Sequence, residues 1–238
     1  MKSLKGKRVL LTGASKGIGR ALALDLAKKG AHLGIVARSE AALHAVQAEA
    51  QALGATCYAF VGDIAENGFA DGCAATMKEA FGGIDYLINN AGYGIFGPTE
   101  SYSFEQWTDL YDTNVKGTFL FAKSVLGIMR AQQSGHIINI ASDVAKRVFD
   151  GGSLYCSSKF AQDAFSAALR KEVRRDGIKV SVVYSGLVNT PFHKGDNNDE
   201  KKTWLTDENM ADSIMFIMQQ PAHVVIDELM IHPLSQDY

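Results

Sequence analysis

The chain has 238 residues, 47% of them hydrophobic, and its 24 basic and 26 acidic side chains leave a formal net charge of −2. That length allows one large domain or two small ones and buries a substantial core with no need of a metal or disulfide staple. The near-neutral balance leaves no electrostatic footprint for nucleic acid or an anionic membrane surface. Cys57, Cys73 and Cys156 form no CxxC pair and no Cys/His cluster, which argues against a disulfide framework and a zinc site. No window approaches the roughly 20 apolar residues of a membrane span, and the apolar run after the first lysines is too short for a signal peptide. A reducing cytoplasm is the expected setting.

In chain order, strands are predicted at residues 8–11, 32–37, 56–61, 84–88, 136–141, 179–184 and 228–231. Runs such as Ile137-Ile138-Asn139-Ile140 are nearly continuous in apolar residues, as in strands covered on both faces. Helical patterns separate them. Ile18, Leu22 and Leu26 recur at helical spacing, with Gly30 where a C-cap sits. Long helices are predicted over 104–130 and 154–174. The polar run at 194–202 reads as a mobile surface loop, within a small substrate loop at about 190–206. Repeated β-α-β predicts an α/β fold, one doubly wound, Rossmann-like parallel sheet of about seven strands with helices on both faces, forming a single domain over 1–238.

The first strand runs into Thr12-Gly13-Ala14-Ser15-Lys16-Gly17-Ile18-Gly19, and a helix follows. Glycines here let the chain turn tightly and bring backbone N–H groups to a phosphate at the positive end of the helix dipole. Gly13, Ser15, Lys16, Gly17, Ile18 and Gly19 are therefore candidate dinucleotide contacts. At the end of the second strand an acid would bind a ribose 2′-hydroxyl and select NAD. The chain instead reads Ala37-Arg38-Ser39, with no acid before Glu40. Arg38 offers a planar fork suited to a 2′-phosphate, and Lys16 a second cation, which favours NADP(H) over the alternative NAD(H).

Tyr155 and Lys159 stand four apart at the start of a helical pattern and so share one face. A phenol near pKa 10 is a poor acid–base catalyst at neutral pH, and a nearby ammonium lowers that value. Ser142 lies at the end of the fifth strand, where ligands of open α/β sheets bind. Asn89-Asn90-Ala91-Gly92 ends the fourth strand, and Asn114 falls inside the next helix despite its poor helical propensity.

Together, the T-G-x₃-G-x-G loop, N-N-A-G, Asn114, Ser142 and Tyr155-x₃-Lys159 resemble the short-chain dehydrogenase/reductase family over essentially the whole chain, in particular its NADP-dependent carbonyl reductase or alcohol dehydrogenase-like members. The resemblance implies that Tyr155 is the general acid in reduction and the base in oxidation. It implies that Lys159 lowers the phenol's pKa and binds the nicotinamide ribose, that Ser142 hydrogen-bonds the substrate oxygen, and that Asn114 holds a relay water. It further places Asp63 against the adenine, Asn90 in the cofactor cleft and Thr190 at the carboxamide. Two positions depart from the pattern: Ala141 stands where a serine often precedes the catalytic one, and Ser185-Gly186 replaces Pro-Gly.

Tyr93, Phe96, Val148, Phe149, Leu187, Phe192 and Trp204 are candidate pocket residues, and their apolar character suits a small carbonyl or alcohol substrate. For His193 an exposed loop position is the favoured reading, with substrate contact the alternative. By family analogy the two long helices build a homodimer or homotetramer. The expected activity is hydride exchange between NADP(H) and a carbonyl or secondary alcohol. A nucleotide-sensing regulator with the same fold is the alternative from another class.

Overall fold

A computed structural model describes residues 2–192 and 199–237. The described residues form one parallel sheet of seven strands: β1 (Arg8–Thr12), β2 (His32–Ala37), β3 (Cys57–Val61), β4 (Tyr86–Asn89), β5 (Gly135–Ile140), β6 (Ile178–Ser185) and β7 (Glu228–Ile231). Their order is β3-β2-β1-β4-β5-β6-β7. The helices are α1 (Gly17–Lys28), α2 (Glu40–Ala52), α3 (Phe69–Phe81), α4 (Phe104–Tyr111), α5 (Thr118–Gln132), α6 (Ser153–Val173) and α7 (Asp207–Met218).

The period-2 geometry of a strand explains the two cores. Val9, Leu11, Leu33 and Ile35 face α1, α2 and α7, where Leu22, Leu43 and Ile214 are fully buried. Leu10, Val36 and Ile137 face the opposite way, onto Met77 of α3, Phe121 of α5 and Leu169 of α6. Both sheet faces are covered, which is why the strands are apolar at nearly every position. The chain winds one way from β1 to β3 and the other way from β4 to β7. The C-terminal ends of β1 and β4 therefore flank the switch point, where an α/β sheet leaves a crevice.

Three predicted segments differ in detail. β4 begins at Tyr86 rather than at Ile84, because a side chain takes Ile84's ladder positions: its N–H donates to Gln132 Oε1 at 2.9 Å, and its carbonyl accepts from Gln132 Nε2 at 2.8 Å. The helix expected over 104–130 is interrupted by a π-helical turn, Asp112–Gly117, between α4 and α5. In the polar run at 194–202, residues 194–198 lie outside the described residues, as does His193, and Asp199–Thr203 forms a 3₁₀ turn. Among the described residues, no helix is long and apolar enough to cross a membrane.

One buried group makes the fold pH-sensitive. His136 on β5 is 4% exposed, and its Nε2 lies 2.7 Å from Ser181 Oγ on β6. The Ser181 hydroxyl donates to Ile226 O at 2.6 Å, so the imidazole donates and Ser181 accepts. Burial, with Lys179 nearby, pushes the imidazole from its ordinary 6.5 down to about 3. The folded chain thus keeps His136 neutral where the unfolded chain protonates it. The resulting stability is complete above pH 6.5 and is lost as pH falls toward 3. His136→Gln, which keeps a donor but does not titrate, is expected to flatten the fall in thermal midpoint between pH 6.5 and 4, measured by circular dichroism on parent and variant.

Candidate active site

The crevice at the switch point is built by mutual hydrogen bonding of two loops. Thr12 ends β1 buried, and its Oγ1 accepts from the N–H groups of Asn90 and Ala91, each at 3.1 Å. Asn90 Nδ2 returns two bonds, to the carbonyls of Thr12 at 3.2 Å and Gly13 at 3.1 Å. This places the loops so close that a Cβ on Gly13 would lie 2.8 Å from Ala91 Cα, and Gly13 also has a φ of +69°. Only glycine meets both demands.

Beyond this turn α1 begins without a side-chain cap at Lys16, which is exposed, and its first turn holds Gly17, Ile18, Gly19 and Arg20. The helix dipole and the free N–H groups of that turn are left for an external anion. Ser15 is half-buried in the same loop, and Thr190, from the loop after β6, approaches Gly17. At the ends of β2 and β3, Arg38 Nη1 lies 3.7 Å from Asp63 Oδ2, and the Arg38 side chain remains 67% exposed. Such an exposed, loose pair holds the guanidinium weakly, so its fork is available to a ligand. A glycine cradle, an uncapped helix start and an exposed arginine one strand over fit a dinucleotide.

Next to the crevice lies a cavity of about 410 Å³, which Ile18, Asn90 and Thr190 border from the crevice side. Ser142, Tyr155 and Lys159 all line it. Ser142 is held at the end of β5 as the N-cap of the 3₁₀ turn Asp143–Ala145. Tyr155 is in the first turn of α6 and Lys159 one turn later. The Lys159 side chain runs under the phenol, with Nζ 5.8 Å from the ring centroid. Its Nζ donates to Gln162 Oε1 at 2.8 Å and to Ile140 O at 3.3 Å. Both acceptors are neutral, so burial wins and pushes the amine from its ordinary 10.5 down to about 7. Burial likewise pushes the Tyr155 phenol up; the neighbouring Ser142 hydroxyl opposes the rise and the Asp143 charge adds to it.

Asn114 lies behind this pair. The π turn directs its side chain back onto the loop after β4, where Oδ1 accepts from Tyr93 N at 3.1 Å and Nδ2 donates to Tyr93 O at 2.9 Å. Nδ2 also donates to Ser158 Oγ on α6, at 3.0 Å. Gly92 borders both Asn114 and Lys159: a Cβ there would lie 3.1 Å from Asn114 Oδ1 and 3.5 Å from Lys159 Nζ.

Phe96, Phe149, Leu187 and Phe192 line the cavity, whereas Tyr93, Val148 and Trp204 do not. Phe96 stands edge-on to the Tyr155 ring at 5.4 Å, and Phe192 lies 5.7 Å from it. Sequence reasoning missed the polar part of the wall, formed by Asp143, Arg147 and Gln236. They converge from the loop after β5 and from the segment after β7. The one local signal was an acid directly after Ser142. Among the described residues, no group of three or more His, Cys, Asp or Glu is placed to hold a metal ion.

Comparison with known proteins agrees with this geometry. The short chain dehydrogenase family model matches residues 7–201. An uncharacterised oxidoreductase of Staphylococcus epidermidis is 34% identical over 98% of this chain and 100% of its own. A metagenomic short-chain oxidoreductase solved in complex with NADP superposes with a TM-score of 0.87 at 29% identity, covering 99% of this chain and 100% of that one. An alcohol dehydrogenase from the archaeon Thermococcus sibiricus, complexed with 5-hydroxy-NADP, gives 0.90 at 28% identity, with 98% of each chain covered. The chain is an oxidoreductase of the short-chain dehydrogenase/reductase family.

Proposed function

We propose that this chain, as a single catalytic domain, transfers a hydride between NADP(H) and the carbonyl or secondary alcohol of a small, largely apolar substrate. The observation that carries this reading is the convergence of Ser142, Tyr155 and Lys159 on one cavity beside the glycine loop. NADP complexes among the similar structures, together with the exposed Arg38, support the choice of cofactor.

Gly13, Ser15, Lys16, Gly17, Ile18, Gly19, Arg38, Asp63, Asn90 and Thr190 would hold the cofactor, which would supply the hydride. The chain's own residues manage the proton. In reduction, Tyr155 donates to the carbonyl oxygen as negative charge develops there, and in oxidation it takes the hydroxyl proton back. Lys159 lies under the ring and, once protonated, favours the phenolate while reaching toward the ribose hydroxyls. Ser142 fixes the reacting oxygen opposite Tyr155. Asn114 supports the relay from behind, through its hold on Tyr93 and Ser158. Phe96, Phe149 and Phe192 supply an apolar wall for the hydrocarbon part of the substrate. Exposed aromatic side chains at Phe104, Trp107 and Phe119, on α4 and α5, support a homodimer or homotetramer.

Tyr155→Phe is expected to lower turnover by roughly 10²–10⁴-fold while NADPH affinity holds, because it removes one proton donor and no cofactor contact to the phosphates. Initial rates on a panel of small ketones and aldehydes, with NADPH titrated by fluorescence, decide this. A variant that turns over near the parent rate removes Tyr155 from the chemistry.

Cofactor choice is tested at Arg38. The parent is expected to prefer NADPH, and Arg38→Asp to move the ratio of kcat/KM values toward NADH on the order of 10–100-fold, the worth of one charge-assisted contact. Unchanged preference in the variant, or a parent that prefers NADH, would exclude the assignment.

Lys159 supplies a test that needs no substrate. Its folded value of about 7 lies below the 10.5 of an unfolded lysine, so between them the unfolded chain binds a proton that the folded chain does not. That contribution is complete above pH 10.5 and is lost as pH falls through 7. Without cofactor, the stability of the parent relative to Lys159→Met should therefore rise from pH 7 to pH 10 in paired thermal melts. A constant difference would mean that the buried amine keeps its proton.

A further inference from the structure

The cavity wall contains a carboxylate that the proposed chemistry does not use. Asp143 is 3% exposed, and four side chains converge on it. Ser142 Oγ donates to its Oδ1 at 3.0 Å. Arg147 Nε donates to Oδ2 at 2.9 Å and Gln236 Nε2 at 2.8 Å, and His232 Nε2 lies 3.3 Å from the same oxygen. Gln236 also ties in the loop after β6, because its Oε1 accepts from Leu187 N at 2.7 Å. The segment after β7 passes so close to that loop that a Cβ on Gly186 would lie 2.3 Å from Gln236 Oε1 and 2.6 Å from His232 Cδ2. Gly186 is thus the position at which the last described residues reach the cavity.

We propose that Asp143 is a positioning residue for the Ser142 hydroxyl, itself fixed from behind by Arg147 and by His232 and Gln236 of the C-terminal segment. The inference rests on the hydride-transfer reading above. A hydroxyl has one proton, and here both of its acceptors are on the protein side: Asp143 Oδ1 at 3.0 Å and, more weakly, Ser185 O at 3.3 Å. The bond to a carboxylate is charge-assisted and the stronger of the two. Ser142 therefore keeps two lone pairs at rest: one accepts from Val144 N at 3.5 Å, and the other faces the cavity beside the Tyr155 phenol. It accepts readily from a substrate hydroxyl and donates to a carbonyl oxygen only after leaving Asp143. The arrangement weights the site toward the alcohol of an alcohol–carbonyl couple. Asp143 also places a negative charge beside Tyr155, whose other titratable neighbours are Cys156 and, under the ring, Lys159. That charge opposes formation of the phenolate.

Two measurements test the proposal. In crystals of the NADP⁺ complex, Ser142 is expected to hold one rotamer in the parent and to leave it in Asp143→Ala; an unchanged single rotamer in the variant overturns the proposal. In solution, the ratio of KM for an alcohol to KM for its carbonyl is measured with cyclohexanol/cyclohexanone and benzyl alcohol/benzaldehyde. It is expected to rise on the order of tenfold in Asp143→Ala. Asp143→Asn, which keeps an acceptor for Ser142, should restore most of that ratio. It should also move the alkaline limb of the rate profile to lower pH by on the order of one unit, because only the charge is lost. NADPH affinity should stay unchanged in both, and an unmoved KM ratio with an unmoved pH limb overturns the assignment. If the Asp143 variants do not fold, Gln236→Ala carries the same test, with a smaller rise in the ratio expected and no change overturning the proposal. A Tyr155→Phe variant that retains turnover would mark failure of the underlying reading, separately from any outcome at Asp143.

Discussion

Burying a lysine amine among neutral partners is the constraint around which this molecule is organised. Lys159 points into the protein at the end of β5, and water is replaced by a connected set of hydrogen bonds. Gln162 Oε1 accepts from the amine, and Gln162 Nε2 donates to Thr118 Oγ1 at 2.8 Å; that hydroxyl donates in turn to Asn114 O at 2.9 Å. A second branch runs from Asn89 through Asn139 to Ser166, whose hydroxyl returns to Gln162 O at 2.6 Å. These residues stand on β4, β5, the π turn, α5 and α6, so one polar network crosses the core layer on the α5/α6 side of the sheet. A network of this kind stabilises only when nearly all of its members are satisfied, because each unpaired buried atom costs about 1–3 kcal/mol. Asn89 Oδ1 is a buried atom without a partner among the described residues. It therefore marks a local cost within the network that holds the amine.

The two positions that depart from the family pattern, Ala141 and Ser185, both border the cavity. Ala141 packs with Ala145, Val182 and Tyr184 in a small buried cluster. Ser185 contributes its carbonyl to Ser142, and Gly186 admits the segment after β7.

Much of the fold was legible in the sequence because its signals are local. Apolar runs located all seven strands to within two residues, and the glycine spacing located the turn into α1. Ser142, Tyr155 and Lys159 were legible through their order and spacing, and the structure brings them to one cavity. What was not legible depends on contacts between distant segments. Gln132 shortens β4 from 48 residues away, and Gln236 reaches Asp143 across 93. Polar residues like these read as ordinary loop or helix-end positions until the chain is folded. The π turn was hidden for another reason. Apolar periodicity marks the faces of α4 and α5 on either side of it, but one additional residue per turn leaves no compositional trace.

That turn has a consequence for the protein's history and for efforts to alter it. A π turn amounts to one residue added to an α-helix, and it rotates everything on one side of it by roughly 100° relative to the other. Removing a residue between Asp112 and Gly117 would restore regular hydrogen bonding and good local geometry. It would also turn either the Leu110 side of α4 or the Phe121 and Val125 side of α5 out of the core, since only one of the two can stay in register. Asn114 would swing away from Tyr93 in either case. Single-residue deletion is therefore closed to this segment as an evolutionary path, and a designer who idealised the helix would lose the clamp behind the lysine. The irregularity persists because the core on both sides of it has already been built around the offset.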